Sequence, residues 1–322
     1  MIDDPVLIND WHPVASIADL EEKNVLGARL LAEDIVLWRV NGQTLAWQDL
    51  CIHRGTRLSL GTVENNTLVC PYHGWRYNEA GKCVRIPAHP GQSSPQKAAV
   101  KTYRAQERYG LVWVSLGEPK QDIPPFPEWE DARFSKVLGG PYRKVRASGP
   151  RLIENFLDVA HLPFVHGGIL GDPSRPEIAE YEAKTGPDGV RSGKIVVYQP
   201  APYGDQGGTV NYTFSAFRPL TAHFLKESAR LNYAILLIVT PHEAVESTAW
   251  MWIATTHTGG ATEKELRVRL DEIFGQDRPI VESQRPELLP LDLQAELHLR
   301  SDRMAIAYRK WLTQLGLTFG TA

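Results

Sequence analysis

The residues able to do chemistry fall into two groups. The first lies in CIHRGTRLSLGTVENNTLVCPYHGW, where Cys51-x-His53 and Cys70-x-x-His73 are separated by sixteen residues. The chain has three cysteines, and two of them sit in this window, each close to an imidazole. The second lies in ENFLDVAHLPFVHGG, which spaces Asp158-x-x-His161-x4-His166. Thiolate and imidazole together suit zinc or iron–sulfur centres. Two imidazoles near a carboxylate are candidate metal ligands.

Three readings of the first group compete. Four unrelated residues is the plainest, since buried free cysteine packs as a small hydrophobe. Zinc accepts two Cys and two His, but its finger spacing pairs Cys with Cys and His with His. A Rieske [2Fe–2S] cluster takes two Cys on one iron and two His on the other, so each loop must deliver one of each. That is the arrangement here. Gly55 and Gly74 relax the backbone beside each pair, and Pro71 stiffens the second loop. Cys83 reads as a packed thiol.

In the second group, Asp158 and His161 are three apart, which places them on one face of a helix. His161 and His166 are five apart, a rotation of about 140° on an ideal helix. They share a metal only if the helix stops or bends between them, and Pro163 supplies a break. A satisfied histidine pair at a helix end is the alternative. For a completing carboxylate the sequence offers Asp277, on the stripe Leu270, Phe274, Asp277, Val281, Gln284. A buried unpaired carboxylate is costly, and a metal would neutralise it. Asp302 in RSDRM is the rival, although capping a helix start suits it. Glu282 and Asp271 are further candidates.

These residues need elements to hold them. Val36–Trp47 alternates about Asn41-Gly42, the preferred hairpin turn pair. Strands are expected over Thr67–Cys70 and Leu111–Val114. The Pro- and acid-rich stretch Gly117–Asp131 reads as a linker, giving domains 1–118 and 119–322. Beyond it, Gly149–Pro163 reads as helical at its core. Strands are expected over Lys194–Gln199, Val210–Phe217, Asn232–Thr240 and Ser247–Thr256. Helices are expected over Glu263–Phe274, extending towards Gln284, and Arg303–Leu315. The fold class is α+β: an all-β N-terminal domain, then an antiparallel sheet flanked by helices.

Bulk properties exclude other classes. The chain has 322 residues, 43% hydrophobic, with a net charge of −3. That balance lacks the basic excess of nucleic-acid binders. No apolar run of about eighteen residues suggests a membrane span. The acidic N-terminus MIDDPVLINDWHPV is unlike a secretory signal, so a cytoplasmic setting is expected.

The motif C-x-H…C-x-x-H with CPYHGW resembles the Rieske family. Asn-x-x-Asp-x-x-His-x4-His resembles the mononuclear-iron motif of Rieske non-haem iron oxygenases. Respiratory Rieske proteins carry two extra cysteines in a disulfide beside the cluster. Thr56 and Tyr72 stand near those places here, which favours oxygenases and ferredoxins. The resemblance implies that Cys51, His53, Cys70 and His73 hold the cluster, and that His161, His166 and Asp277 hold Fe(II). It implies that Asp158 bridges His161 to His73 of a neighbouring subunit in a head-to-tail homotrimer, with Asn155 near the iron. It further implies a monooxygenase: O₂ and two electrons put one oxygen atom into a C–H bond of a small organic substrate. A non-enzymatic Rieske electron carrier is the alternative. The chain lacks a dinucleotide-binding fingerprint, so NAD(P)H and flavin belong to a separate reductase or ferredoxin partner. WQDLCIHRG, GKCVRIPAHP and SDRMAIAYRKWL look most similar to saxitoxin-pathway hydroxylases, which implies monohydroxylation of a guanidinium alkaloid. Aryl-methyl hydroxylation or oxidative O-demethylation of an aromatic compound is the alternative. Phe214, Met251 and Ile253 are expected to line the pocket. Trp250 and Trp252 share one side of their strand.

Overall fold

The computed structural model describes residues 2–200, 207–227 and 231–322. The chain divides into two compact units, Met1–Ile123 and Pro124–Ala322. The boundary read from sequence, 118/119, lies slightly earlier.

The first unit is built on strands. A six-stranded antiparallel sheet runs in the order His12–Ser16, Leu111–Ser115, Thr102–Arg108, Gln43–Gln48, Glu33–Val40, Val25–Leu30. The hairpin at its centre turns through Asn41 and Gly42, at φ 51° and 76°. Both residues tolerate positive φ, so the turn twist matches that of the strands. A smaller sheet orders Thr62–Glu64, Thr67–Val69, Arg76–Tyr77 and Cys83–Arg85. It turns first through Asn65 and Asn66, again both at positive φ. Trp38, Trp47, Leu58, Leu68 and Tyr77 form the core, and Cys51 and Cys70 are buried within it.

The second unit is a long antiparallel sheet with helices. Its main path runs Ser135–Val145, Glu246–Thr255, Asn232–Glu243, Thr221–Glu227, Gly208–Arg218, Gly189–Ser192, Ala183–Gly186. Ile195–Gln199 also pairs with Gly208–Arg218. The strand Thr221–Glu227 was not foreseen, and it proves important below. The helix Glu263–Ser283 starts at a capping box, Thr262 with Glu265, and continues past Pro279. It packs on the strand Ser135–Val145. Gly139 makes that approach possible, because a Cβ there would lie 2.2 Å from Leu270 Cδ2. The helix Arg303–Leu315 ends at Gly316 in the left-handed region.

The helix expected over Gly149–Pro163 stops at Leu157. Asp158 is extended (φ −79°, ψ 126°), and its Oδ1 accepts from Ala160 N at 2.8 Å. Pro163 therefore does not break this helix. It sits in the first turn of a separate short helix, Leu162–Val165, where a missing N–H costs nothing.

A buried ion network anchors Gly149–Leu157. Arg309 Nε and Nη2 donate to the two Glu154 carboxylate oxygens at 2.6 and 2.7 Å, and Arg309 also reaches Glu296. Arg151 donates to Glu296 at 2.8 Å. Both guanidiniums are almost fully buried, at 2% side-chain exposure or less. Removing one member of such a network strands a charge in low dielectric. No described helix is long and apolar enough to cross a membrane.

Candidate metal centres and active-site cavity

The two Cys/His loops share one design. Cys51 N donates to Thr56 O at 2.8 Å, and Gly55 N donates to Cys51 O at 2.9 Å. In the second loop Cys70 N donates to Trp75 O at 2.9 Å, and Gly74 N to Cys70 O at 3.0 Å. Gly55 and Gly74 occupy equivalent places at φ 73° and 69°, where a Cβ would be strained. The imidazoles of His53 and His73 meet edge-on with centroids 4.5 Å apart, and Trp75 stacks on His53. The thiols of Cys51 and Cys70 lie within contact of each other. Burial, the largest influence, pushes the Cys70 thiol up, so holding it as thiolate calls for a cation beside it. Tyr77 OH lies 3.1 Å from Cys51 Sγ. His53 Nδ1 is buried without a hydrogen-bond partner among the described residues.

The second group converges where the short helices meet Glu263–Ser283. Ligand atoms of His161, His166 and Asp277 all lie within 4.8 Å of one another. Asp277 Oδ1 is 3.1 Å from His166 Nε2 and 3.5 Å from His161 Nε2. It is buried and makes no well-aligned hydrogen bond. The other ring nitrogens face outward from the cluster. His161 Nδ1 lies 3.4 Å from Asp158 Oδ2 but makes no aligned hydrogen bond, whereas His166 Nδ1 meets Gln276 Oε1 at 2.8 Å. An acceptor on Nδ1 holds the proton there and leaves Nε2 as the lone-pair donor. Burial pushes His166 down, but the Asp277 carboxylate outweighs it and leaves His166 raised. A bound cation would take the place of that proton between His166 and Asp277.

The rival carboxylates are engaged elsewhere. Asp302 Oδ2 accepts from Leu299 N at 2.7 Å in a turn. Glu282 pairs with Arg278, and Asp271 accepts from Tyr142 OH at 2.8 Å.

A cavity of about 180 Å³ opens on this cluster. That is below the roughly 300–1,000 Å³ of sites enclosing drug-sized ligands, so its ligand is small. Phe156, Tyr212, Phe214 and Phe224 give it an aromatic wall, with Phe156 and Phe224 stacked at 5.3 Å. Asn155, Phe214 and Met251 line the cavity. Ile253 does not. It lies in register between Val137 and Ile235, is 1% exposed, and the cavity stops short of it. Trp250 and Trp252 are not part of the lining either; Trp252 meets Trp129.

Residues 10–104 match the family described as Rieske [2Fe-2S] domain, and residues 145–318 match Vanillate O-demethylase oxygenase C-terminal domain. Over 322 residues the chain is 32% identical to methylxanthine N1-demethylase NdmA of Pseudomonas putida, covering 95% of this chain and 88% of that protein. The chain belongs to the Rieske non-haem iron oxygenases. It is also 34% identical to the probable methylxanthine N7-demethylase NdmC of Pseudomonas sp. (strain TJI-51), covering 98% and 96% of the two chains. The solved structure of NdmA with caffeine superposes with a TM-score of 0.83 at 30% identity, covering 96% and 90%. A shorter segment, 35% of this chain, is 40% identical to 19% of the oxidoreductase NdmD of Pseudomonas putida.

A Rieske oxygenase carries a [2Fe–2S] cluster and a mononuclear iron, and the described residues fit both. One site pairs two buried thiols with two imidazoles, one nitrogen of which is orphaned. The other gathers two Nε2 atoms about an orphaned carboxylate oxygen. Sequence reasoning missed Gln276, although it adjoins Asp277, because a polar residue on an amphipathic helix carries no sign of what it faces. It also missed Phe224 and Lys226, whose strand was not recognised.

Proposed function

We propose that this chain is the terminal oxygenase of an oxidative demethylation system, acting on a methyl group borne by N or O of a small aromatic compound. The observation that carries this reading is the aromatic-walled cavity ending on His161, His166 and Asp277. The demethylase relatives, alike over nearly the full length, support it. The reaction balances as R–X–CH₃ + O₂ + 2e⁻ + 2H⁺ giving R–X–CH₂OH and water. The hydroxymethyl group then leaves as formaldehyde, and X keeps a proton.

In this reading Cys51, His53, Cys70 and His73 hold the cluster, and His161, His166 and Asp277 hold the iron. The iron, when bound, supplies the site at which O₂ is reduced. The chain does the rest. Phe156, Phe214 and Phe224 bind the ring and keep water away from the methyl group. Gln276 keeps the proton on Nδ1 of His166. Asn155 lies on the wall of the same cavity as His161 and His166.

Electrons come from a separate reductase bearing NAD(P)H and flavin chemistry. We place Asp158 on the electron path between chains of a head-to-tail homotrimer. Two exposures support this: the Asp158 side chain is 36% exposed, and the His73 side of its loop faces solvent. A cytoplasmic location suits such a reductase-dependent enzyme.

The finer likeness to saxitoxin-pathway hydroxylases, with stable monohydroxylation of a guanidinium alkaloid, is the second reading. Its motivation is the strings around the metal motifs. Formaldehyde decides between them. With a reductase, NADH and a panel of N- and O-methylated arenes, formaldehyde should form in step with NADH use. A stable hydroxylated product without formaldehyde from every accepted substrate would reject demethylation.

A further inference from the structure

The sheet wall of the cavity carries a hydroxyl that the protein itself does not use. Tyr233 begins the row Tyr233, Ile235, Leu237 on the strand Asn232–Glu243, and all three line the cavity. Alternate residues of a strand share one face, so the row turns its side chains to the same space. Tyr233 stands in register with Lys226 on one neighbouring strand and Thr255 on the other, and both also line the cavity. Its ring is held in place. Phe224 stacks beside it with centroids 6.2 Å apart, and Lys226 Nζ lies 5.2 Å over its centre.

Neighbouring hydroxyls of the wall are engaged within the protein. Tyr212 OH accepts from Gln199 Nε2 at 2.8 Å, and Thr255 Oγ1 donates to His257 O at 2.9 Å. Tyr233 OH has no hydrogen-bond partner among the described residues. Nor is it sealed off by packing, as Trp252 Nε1 is. The space open to it is the cavity that its ring lines. Burial pushes the Tyr233 phenol up, against the opposing influence of Arg269, so it stays protonated at neutral pH and can donate. A ligand that covers this hydroxyl without offering an acceptor leaves it unpaired, which costs affinity.

We propose that Tyr233 is a specificity-determining residue whose hydroxyl donates to a neutral acceptor, a carbonyl oxygen or a ring nitrogen, at one edge of the aromatic substrate. Resting on the demethylase reading, this gives the substrate a second fixed point beside the aromatic rings of the wall. The rings reward any flat apolar ligand of the right size. The hydroxyl rewards one orientation of it, because a hydrogen bond needs its acceptor at a set distance and angle.

The test uses matched probes that differ in the acceptor and not in charge: 4-methoxyacetophenone against 4-isopropenylanisole, and caffeine against 6-thiocaffeine, whose sulfur accepts weakly. Binding to the metal-loaded enzyme is measured by calorimetry, and formaldehyde release is measured separately. Tyr233→Phe should weaken the oxygen-bearing member of at least one pair about ten-fold and leave its partner within about two-fold. The variant should keep the wild-type visible spectrum and melting temperature. Equal weakening of both members in each pair would mark a structural role and overturn the proposal. So would no weakening, or no binding of any probe to wild type. Should Tyr233→Phe fail to fold, wild type decides: caffeine should bind more tightly than 6-thiocaffeine, and an equal or reversed order overturns the proposal. An acceptor-specific loss without formaldehyde from any probe would reject demethylation and keep Tyr233 as the anchor. Formaldehyde from wild type, with Tyr233→Phe indifferent to the acceptor, would do the reverse.

Discussion

At the scale of single residues, His166 is set by what its outer nitrogen touches. His166 Nδ1 has the Gln276 amide oxygen at 2.8 Å, a neutral acceptor on the same helix as Asp277. One helix thus supplies both the carboxylate of the cluster and the group that orients its neighbour. Partners of this kind change metal affinity by about 10–100-fold. Gln276→Leu should weaken iron binding by that factor, read as iron lost on titration with a chelator, while the Rieske spectrum stays unchanged. Gln276→Glu retains an acceptor and should recover most of the affinity. Equal iron retention in Gln276→Leu and wild type would show that the tautomer is held by something else.

At the scale of elements, the helix Gly149–Leu157 must be held still because Asn155 and Asp158 depend on it. The Arg309–Glu154 and Arg151–Glu296 pairs do this from its buried side. Burial by itself raises Glu296, but hydrogen bonds from Arg151 and Arg309 outweigh it and leave the carboxyl below its ordinary value. A group lowered on folding stabilises the protein above its unfolded pKa, and that stability is lost as pH falls through the folded one. Glu296→Gln should therefore lower the melting temperature at pH 7, by the equivalent of about 1.5–3 kcal/mol for charged hydrogen bonds. The gap to wild type should close as pH falls below about 4; a gap constant with pH would contradict the assignment. The same helix shows how much could be read in advance. Its start was read at Gly149, where Ser148 caps and Pro150 opens the first turn. Its end was not, because the Asp158 side chain, bonding to Ala160 N, competes with the backbone for the helix. The hairpin at Asn41-Gly42 was legible because positive φ at both turn residues leaves a signature in sequence. The strand Thr221–Glu227 was not, since Lys226 and Glu227 at its end read as solvent-facing polar residues, whereas Lys226 is buried by contacts distant in sequence. The metal residues were legible because ligand chemistry restricts residue type at fixed spacings; the cavity wall depends on which face of each strand is covered, and spacing does not record that.

At the scale of the whole molecule, the Cys/His loops and the His161, His166 and Asp277 group lie on separate compact units, and the proposed electron path runs between chains. Co-expressing a His73→Ala chain with a His161→Ala chain should give mixed trimers with measurable turnover, although each variant alone is inactive. An inactive mixture, with both chains shown to co-assemble, would place electron transfer within one chain. The central claim is that His161, His166 and Asp277 hold an iron on which demethylation depends. Its most direct test is iron, sulfide and formaldehyde analysis of wild type beside Asp277→Ala. Wild type should carry about three irons per chain, two in the cluster and one mononuclear, and release formaldehyde. Asp277→Ala should fall to about two, keep its labile sulfide and reduced-state Rieske EPR signal, and release none. Undiminished iron and formaldehyde in that variant would contradict the account.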